Sequence, residues 1–478
     1  MMQEPVRPLE RGASERIKDF EEVVFKYSEE EALREANRCL QCKDPLCIKG
    51  CPVGIDIKKF IRHIREKDYR GAYFEIRKKN NFPSICGRVC PAEYQCRKTC
   101  VLNSQGAPFA SEKSINIHFL ERFAGDYAML NNLSSGIPET RPGSKSFKVA
   151  VVGSGPAGLS VAGELAREGI KTVVFEALHK AGGVLRYGIP PFRLPGEVLD
   201  YEINYLKQMG VEFVLNCIIG KTKSLQDLKK EGFSAFFLGL GAGVPSFLGI
   251  KGENLPNVYS ANEFLTRVNL MSAYRFPEYH TPVNIAEKVV VVGGGNTAVD
   301  AARVALRLQR LRGLKGRVSI LYRRTEKEMP ARRLEIEHAK EEGIEFKFLV
   351  QPEELLADSG NRLEKIKCLR CRLGEPDSSG RRRPVVIENS AFSIECGLAI
   401  IAIGLGANRV LTSSEPALET NRRGEITIKD NFLQSSLRGV FAGGDIVGGE
   451  GTVIEAMSMG KTAAAGITRF LKSGSLPF

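Results

Sequence analysis

A chain of 478 residues is too long for a single compact core, so we expect roughly two to four domains. Its apolar fraction of 43% and charged fraction of 26% are those of an ordinary globular protein, which excludes a disordered chain. The net charge of +13 comes without interleaved lysines and aromatic residues, so nucleic-acid binding is not indicated.

Neither a targeting segment nor a membrane span is predicted. Residues 1–19 are charged throughout and lack the apolar core of a signal peptide. The longest apolar stretch, residues 397–407, is broken by glycines and too short to cross a bilayer. We therefore expect a cytoplasmic protein that does not insert into a membrane.

The first predicted region, residues 1–145, is charged, cysteine-rich and mostly helical in its pattern. Its stretch 27–40 predicts a helix capped by Ser28, with Glu31 in the capping-box position. Eight of the twelve cysteines in the chain lie in this region. Their spacing is Cys39-x2-Cys42-x4-Cys47-x3-Cys51-Pro52 and then Cys86-x3-Cys90-Pro91-x4-Cys96-x3-Cys100. In a large chain without a signal segment, such a dense group indicates metal ligands before disulfides.

The spacing of these cysteines favours iron–sulfur clusters. Cys51 and Cys90 each precede a proline, and in two-cluster ferredoxins the cysteine before proline ligates the other cluster, so the ligands interleave. The alternative is structural zinc, which usually pairs two C-x2-C knuckles or includes histidine. The nearby histidines, His63 and His118, do not stand at knuckle spacing. The pattern therefore predicts [4Fe–4S] clusters rather than zinc.

A linker is predicted at residues 134–145, and a β-α-β unit follows it. The unit has an apolar strand at 147–152, a helix at 156–168 and a second strand at 172–175. In such a turn, the glycines allow a tight bend and let the backbone approach the pyrophosphate closely. The N-terminus of the helix then faces the phosphates. The turn residues are Gly153, Gly155, Pro156, Ala157 and Gly158. Glu176 ends the second strand, where an acid binds ribose hydroxyls.

The same pattern returns at residues 288–322, which predicts a second nucleotide-binding unit. Its turn contains Gly294, Gly295, Asn296 and Thr297. The second strand ends in Arg323 and Arg324 instead of an acid. Guanidinium groups bind a 2′-phosphate that an acid would repel, so this unit is predicted to take NADP(H). The alternative is that both arginines are solvated surface charges.

A third glycine cluster precedes the last predicted helix, residues 452–471. It comprises Gly444, Asp445, Gly451, Thr452 and Val453. An acid behind glycines and opposite a helix N-terminus suits the ribityl and pyrophosphate groups of a flavin. Together with the first turn, this cluster predicts FAD. Met457, within the helix, is expected in the core or beside the flavin.

Together with the segments GGVLRYGIPPFRLP (182–195) and YRRTEKEMPA (322–331), these motifs resemble the glutamate synthase small-subunit family. They are also similar to the N-terminal half of dihydropyrimidine dehydrogenase and to the large subunit of NADH-dependent ferredoxin:NADP oxidoreductase. The resemblance implies an α/β fold in which a helical two-cluster iron–sulfur domain precedes two Rossmann-like domains. The FAD domain would be split by the inserted NADPH domain. The implied domains are 1–145 (iron–sulfur), 146–285 (first FAD segment), 286–405 (NADPH) and 406–478 (second FAD segment).

The resemblance also implies the ligands of each cofactor. One cluster would be held by Cys39, Cys42, Cys47 and Cys100, and the other by Cys51, Cys90, Cys96 and Glu121. In relatives the last ligand is a Gln or Glu on a following helix; the alternative here is Cys86. Further cofactor contacts are implied at Gly183, Leu185, Arg193 and Gly241.

The implied function is electron transfer between NADP(H), FAD and two [4Fe–4S] clusters. No serine, histidine or acid constellation nominates a catalytic residue. Three roles remain open. The chain could be the large subunit of a ferredoxin:NADP oxidoreductase, with or without electron bifurcation, paired with a smaller ferredoxin-reductase-like flavoprotein. It could be the glutamate synthase small subunit beside its large subunit. It could also be an electron-wiring module of a larger hydrogenase or dehydrogenase complex. Residues 182–190 favour the first, and a basic chain suits ferredoxin or another acidic carrier.

Overall fold

The computed structural model describes residues 4–103, 109–133, 147–377, 380–448 and 451–473. The predicted linker at 134–145 lies outside these residues. The helices are α1 Ala13–Arg16, α2 Glu29–Asn37, α3 Leu46–Lys49, α4 Ile57–Arg65, α5 Tyr69–Arg77, α6 Pro83–Val89, α7 Ile117–Leu130, α8 Pro156–Arg167, α9 Val184–Tyr187, α10 Gly196–Gln208, α11 Leu225–Lys230, α12 Ala261–Leu265, α13 Asn296–Leu311, α14 Arg333–Glu341, α15 Asp445–Gly448 and α16 Val453–Ser473.

The strands are β1 Lys148–Val152, β2 Lys171–Phe175, β3 Glu212–Val214, β4 Ala235–Leu238, β5 Ala242–Pro245, β6 Val258–Ser260, β7 Lys288–Val292, β8 Arg317–Tyr322, β9 Glu345–Phe348, β10 Val350–Ala357, β11 Leu363–Pro376, β12 Arg382–Val386, β13 Phe392–Glu395, β14 Leu398–Ile401, β15 Leu405–Ala407 and β16 Val440–Ala442. Within the described ranges, no helix has the length and apolarity needed to cross a bilayer.

The N-terminal region is helical, as its pattern predicts. Helix α2 begins after Ser28, whose side chain accepts a hydrogen bond from Glu31 N, and the reciprocal bond completes the capping box. The helix ends at Asn37, before Cys39, which leaves the first cysteines on loops. Helices α6 and α7 pack with their backbones close together, because a Cβ on Gly87 would lie 2.5 Å from the Arg122 nitrogen.

The first nucleotide unit is a parallel sheet in the order β16-β4-β1-β2-β3. Helix α8 follows β1, as the β-α-β pattern predicts, and α16 packs against α8. A Cβ on Gly460 of α16 would lie 2.5 Å from the Ala157 carbonyl oxygen, so only glycine permits this approach. Strand β16 comes from the C-terminal region of the chain, so two distant segments build this unit.

The second nucleotide unit is a parallel sheet in the order β6-β14-β7-β8-β9, and β10–β13 form an antiparallel sheet beside it. Strand β6 belongs to this unit although it precedes residue 286. Strands β5 and β15 pair antiparallel between the two parallel sheets. The domain limits stay predictions, and we propose that the chain crosses between the units at this two-stranded ribbon.

The apolar cores divide the molecule differently from the sheets. One continuous core joins the helical region to the first nucleotide unit and includes Phe60, Ile85, Val151 and Met457. A second core lies around β7, β8 and α13 of the second nucleotide unit, and it also includes Phe20, Val23 and Phe192 from the preceding regions. Burying shared apolar surface makes the helical region and the first unit one packed body.

Candidate cofactor sites

The first cysteine site consists of Cys39, Cys42, Cys47 and Cys100. All four line one pocket, whose other walls are mostly apolar. Burial, together with the neighbouring Cys100 and Cys39 thiols, raises the pKa of Cys47 to about 12. A thiol in such surroundings becomes a thiolate when a metal compensates its charge. The structure therefore brings together the four ligands predicted for one cluster.

The second cysteine site consists of Cys51, Cys90, Cys96 and Glu121. Burial raises the pKa of Cys96 well above its usual value, and the nearby Cys51, Cys90 and Glu121 raise it further. Glu121 projects from α7 and is 6% exposed. Burial raises its pKa to about 8, although Asn80 Nδ2 donates a hydrogen bond to Glu121 Oε1 at 2.6 Å.

Cys86, the alternative fourth ligand, also lies at the second cysteine site. It is completely buried, and its Sγ is 3.7 Å from Asn80 Oδ1 and 3.6 Å from Met457 Sδ. Its thiol also interacts with the Cys90 thiol. The geometry therefore places both candidates, Glu121 and Cys86, beside the three cysteines. Met457 packs against this site from α16.

The spacing of the sulfur atoms fits clusters better than a single ion. A zinc ion about 2.3 Å from each thiolate requires sulfurs roughly 4 Å apart. Among the described residues, the one group of three or more ligand atoms within 4.8 Å of one another is Glu10, His338 and Glu341. Among the described residues, no three cysteine sulfurs therefore lie within 4.8 Å of one another, as zinc ligands would, whereas an iron–sulfur cluster spreads its thiolates over several irons.

The first glycine turn has the shape that its sequence predicts. Gly153 has φ +99°, and a Cβ there would lie 2.3 Å from the Gly239 carbonyl oxygen. A Cβ on Gly158 would lie 2.0 Å from the Gly153 carbonyl oxygen. Gly155 faces open space at the N-terminus of α8, and Pro156 occupies the first helical position. This open concavity above a helix N-terminus can bind a pyrophosphate.

Glu176 braces the first turn in a way that the sequence did not reveal. Its Oε2 accepts hydrogen bonds from the backbone N–H and the hydroxyl of Ser154, the N–H at 2.9 Å. The Ser154 hydroxyl in turn accepts a hydrogen bond from Gly182 N at 2.9 Å. The predicted ribose acid thus also fixes the turn. Ser154 is the intervening residue of the G-x-G motif, a position for which the motif specifies no side chain.

The third glycine cluster lies against the first turn. Gly444 has φ +78°, and a Cβ there would lie 3.2 Å from Ala157 Cβ. Thr452 and Glu455 form a capping box before α16, with Thr452 N donating to Glu455 Oε2 at 2.8 Å. The N-termini of α8 and α16 therefore open on the same side, as a bound FAD requires. Val453 is the first residue of α16.

The segment 182–188 completes the surroundings of this turn. A Cβ on Gly183 would lie 2.7 Å from Gly155 Cα, and Leu185 is buried. Tyr187, which the sequence did not single out, lies close enough to Asp445 and Glu176 to feel their charges. Burial, followed by these two carboxylates, raises its pKa to about 12. Gly241, with φ +67°, has open space around the position of a Cβ.

The side chain of Arg193 is held by other residues of the chain and does not lie open beside the first glycine turn. Its Nη1 lies 2.5 Å from Asp300 Oδ2, and its Nε lies 3.0 Å from Glu335 Oε1. Both carboxylates belong to the second nucleotide unit, on α13 and α14. Arg193 therefore ties the two units together, and its contact with a cofactor stays a prediction.

The second glycine turn resembles the first. Gly293 has φ +148°, and a Cβ there would lie 2.2 Å from the Ala402 carbonyl oxygen. Gly294 is covered by the Tyr322 ring, and Gly295 faces open space at the N-terminus of α13. Thr297 is exposed beside this opening. The side chain of Asn296 is engaged, because its Oδ1 accepts a hydrogen bond from Arg332 N at 2.9 Å.

The structure separates the two arginines that were predicted to act together. Arg323 is exposed at the end of β8. Arg324 is 5% exposed, with Nη2 donating to Asp377 Oδ2 at 2.6 Å and Nε donating to the Arg382 carbonyl at 2.8 Å. The surface-charge alternative therefore does not describe Arg324, which anchors the antiparallel sheet. Arg323 is the one with a free approach to a 2′-phosphate.

Known families match nearly the whole chain. A family model described as dihydropyrimidine dehydrogenase domain II, 4Fe–4S cluster, matches residues 16–133, and one described as pyridine nucleotide-disulphide oxidoreductase matches residues 147–460. The chain is 34% identical over 480 residues to the NADPH glutamate synthase small chain of Escherichia coli, covering 98% of this chain and 97% of that one.

One further relative and one solved structure with a similar fold bear on the architecture. The chain is 37% identical over 456 residues to the NADP(+)-dependent formate dehydrogenase subunit beta of Moorella thermoacetica, covering 90% of this chain but only 60% of that protein. The structure of FprA from Mycobacterium tuberculosis in complex with NADPH superposes with a TM-score of 0.58 at 20% identity, covering 69% of this chain and 87% of that one. The predicted fold and cofactors, iron–sulfur clusters, FAD and NADP(H), are confirmed.

Proposed function

This chain belongs to the family of NADPH-dependent iron–sulfur flavoprotein oxidoreductases that includes the glutamate synthase small chain, and we propose that it delivers electrons from NADPH to a partner protein. The specific role that we propose is the large subunit of an NAD-dependent ferredoxin:NADP oxidoreductase in the cytoplasm. The glutamate synthase small chain is the second candidate, because the E. coli protein matches from end to end.

The position of α16 carries the proposal. Its N-terminus opens beside the first glycine turn, and one turn along the helix Met457 Sδ lies 3.6 Å from Cys86 Sγ. Ser458 Oγ donates a hydrogen bond to the carbonyl of Pro52, the residue after Cys51, at 2.9 Å. A single helix therefore contacts both the flavin turn and the second cysteine site, which favours direct electron transfer between them.

The residues of the chain supply position, and the bound groups supply the redox chemistry. When bound, FAD would supply hydride chemistry with NADPH, and the clusters would supply single-electron transfer. The helix N-termini of α8 and α13 orient the two pyrophosphates, and Arg323 selects the 2′-phosphate. Packing of the second cysteine site against the shared core limits the access of water to it.

We propose Glu121 as the fourth ligand of the second cysteine site. Among the described residues, Asn80 is the one that donates a hydrogen bond to this buried carboxylate, and a neutral amide does not compensate its charge, whereas iron would. Cys86 is instead engaged with Cys90, Asn80 and Met457, on the side that faces α16. A hard carboxylate among thiolates would give this cluster a different potential from the other.

The surface beside the first cysteine site is where we propose that a partner docks. Leu40, Leu46 and Val101 border its cysteines and are 58%, 42% and 46% exposed. Lys43 and Lys98 are exposed nearby. An apolar patch with lysines around it suits an acidic electron carrier such as ferredoxin.

Anaerobic co-purification and an electron-delivery assay test the proposed role together. We expect a small ferredoxin-reductase-like flavoprotein to co-purify, and ferredoxin reduction by NADPH to depend on NAD⁺ in the complex. Leu40→Asp should slow ferredoxin reduction without changing flavin reduction by NADPH, whereas Leu130→Asp, at a residue 61% exposed on α7, should change neither. Co-purification of a large glutamine-dependent subunit would instead identify the glutamate synthase small chain.

A further inference from the structure

Arg332 reaches from the second nucleotide unit into the iron–sulfur region. It immediately precedes α14, and its side chain is 4% exposed. Its Nη1 donates a hydrogen bond to the Arg88 carbonyl at 2.9 Å. Arg88 stands two residues before Cys90, a predicted ligand of the second cysteine site. The guanidinium therefore lies at the edge of that site.

The backbone of the same residue is held by the second glycine turn. Arg332 N donates a hydrogen bond to Asn296 Oδ1 at 2.9 Å, and Ala331 N donates one to the Gly294 carbonyl at 3.3 Å. Asn296 is the first residue of α13, whose N-terminus faces the nucleotide. One residue thus contacts the nucleotide turn with its backbone and the second cysteine site with its side chain.

The charge of Arg332 is paired with two carboxylates, but only at long distances. Glu93 Oε1 lies 3.6 Å from its Nε and Glu335 Oε1 lies 4.0 Å from its Nη1, and Nε makes no hydrogen bond within the described ranges. Glu335 is closer to Arg193 and to Arg303. A buried guanidinium requires compensation. A cluster ligated by thiolates and a carboxylate would provide the negative charge.

The charge also acts on the cysteine sulfur. The guanidinium that reaches the Arg88 carbonyl, two residues before Cys90, puts a positive charge beside this cysteine, where it attracts a thiolate. The same electrostatic attraction favours the reduced, more negative state of a cluster bound at Cys90. Removing the charge should therefore lower the reduction potential of that cluster.

We propose that Arg332 couples occupancy of the NADP(H) turn to the reduction potential of the second iron–sulfur cluster. The inference rests on the proposed electron transfer from NADPH through this chain. A nucleotide at the N-terminus of α13 brings negative phosphates to the turn that holds Arg332 and offsets its charge. Since coupling is reciprocal, reducing the cluster must change NADP⁺ affinity by the same factor by which NADP⁺ changes the reduction equilibrium.

The test is an EPR-monitored redox titration of the purified holoprotein, with and without saturating NADP⁺. We expect wild-type protein to bind NADP⁺ about tenfold more weakly when the second cluster is reduced, which for a one-electron couple corresponds to a shift of about 59 mV. Arg332→Gln should lower the potential of one cluster only and lose the response to NADP⁺. Arg332→Lys should keep the potential near the wild-type value, because it keeps the charge.

The control is Arg333→Gln, which removes the same charge from the next residue, an exposed one. It should leave both potentials and the NADP⁺ response unchanged. An unchanged potential in Arg332→Gln, or a wild-type potential that NADP⁺ does not move, would overturn the coupling. Iron content and NADP⁺ binding are measured in the wild type and in every variant. A wild type without iron or without NADP⁺ binding would contradict the proposed function rather than the coupling.

Discussion

The two nucleotide units are attached to the rest of the molecule by different balances of apolar and charged contacts. The first unit shares one apolar core with the iron–sulfur region, in which Ile85 and Met457 belong to the same cluster of buried side chains. The second unit takes Phe20, Val23 and Phe192 of the other regions into its core, and it also contacts them through buried charges, such as Arg193 with Asp300. Electron transfer requires fixed distances between flavin and clusters, whereas NADP(H) must enter and leave. The continuous apolar core keeps those distances fixed, and a mixed apolar and charged interface is more easily rearranged when NADP(H) enters or leaves.

The largest effects should come from the cysteines in the shared body. Cys96→Ser should remove about half of the iron and lower thermal stability, because the site adjoins the apolar core. Cys47→Ser should also remove about half of the iron but leave reduction of the flavin by NADPH intact. Iron analysis, EPR and stopped-flow absorbance measure these outcomes. Full iron content in both variants would contradict the ligand assignment.

Glu121 and Cys86 give the next test within the same body. Glu121→Ala should alter or abolish the EPR signal of one cluster, since it removes a ligand, while Cys86→Ala should leave both signals in place. Cys86→Ala removes a sulfur that contacts Asn80, Cys90 and Met457 but, in this assignment, no iron. The reverse result, a lost signal in Cys86→Ala alone, would return the ligand role to Cys86.

In the second nucleotide unit, Arg323→Ala should weaken NADPH binding about 10- to 100-fold, the range expected for a lost charge-assisted hydrogen bond, and leave NADH binding unchanged. Arg324→Ala is the matched variant. It removes the ion pair with Asp377 and should mainly lower thermal stability. Isothermal titration with both nucleotides separates the two effects. Equal losses for NADPH and NADH in Arg323→Ala would refute the assignment to the 2′-phosphate.

The smallest effect that we predict is a loss of thermal stability at acidic pH. Burial alone would raise the pKa of the Glu342 carboxyl. The guanidiniums of Arg303 and Arg307 nevertheless hold this pKa well below its ordinary value of 4.5. A carboxyl group whose pKa is lowered by folding stabilises the protein at pH values above 4.5. This stabilisation is lost as the pH falls below 4.5. Thermal unfolding of the second unit should therefore shift to lower temperature between about pH 5 and pH 3. Glu342→Gln should flatten this dependence, and Glu337→Gln, at an exposed position of α14, should not.

Local patterns predicted the elements well, and distant contacts explain what they missed. The capping box at Ser28, the glycine turns and the cysteine spacing all depend on neighbours a few residues away, so a single stretch of sequence contains the whole signal. Arg324 could not be separated from Arg323 in this way, because its partner Asp377 is 53 residues further along. Arg332 was equally hidden, since its role depends on a carbonyl 244 residues away.

The contact between Met457 and Cys86 has a consequence for biosynthesis. The two residues are 371 positions apart, yet their sulfur atoms lie 3.6 Å from each other. The first cysteine site is built within residues 39–117 and can be assembled soon after that segment leaves the ribosome. The second site stays open on one side until α16 has been translated and docked. Cluster insertion should therefore follow a fixed order, in which the first cysteine site is loaded before α16 closes the second.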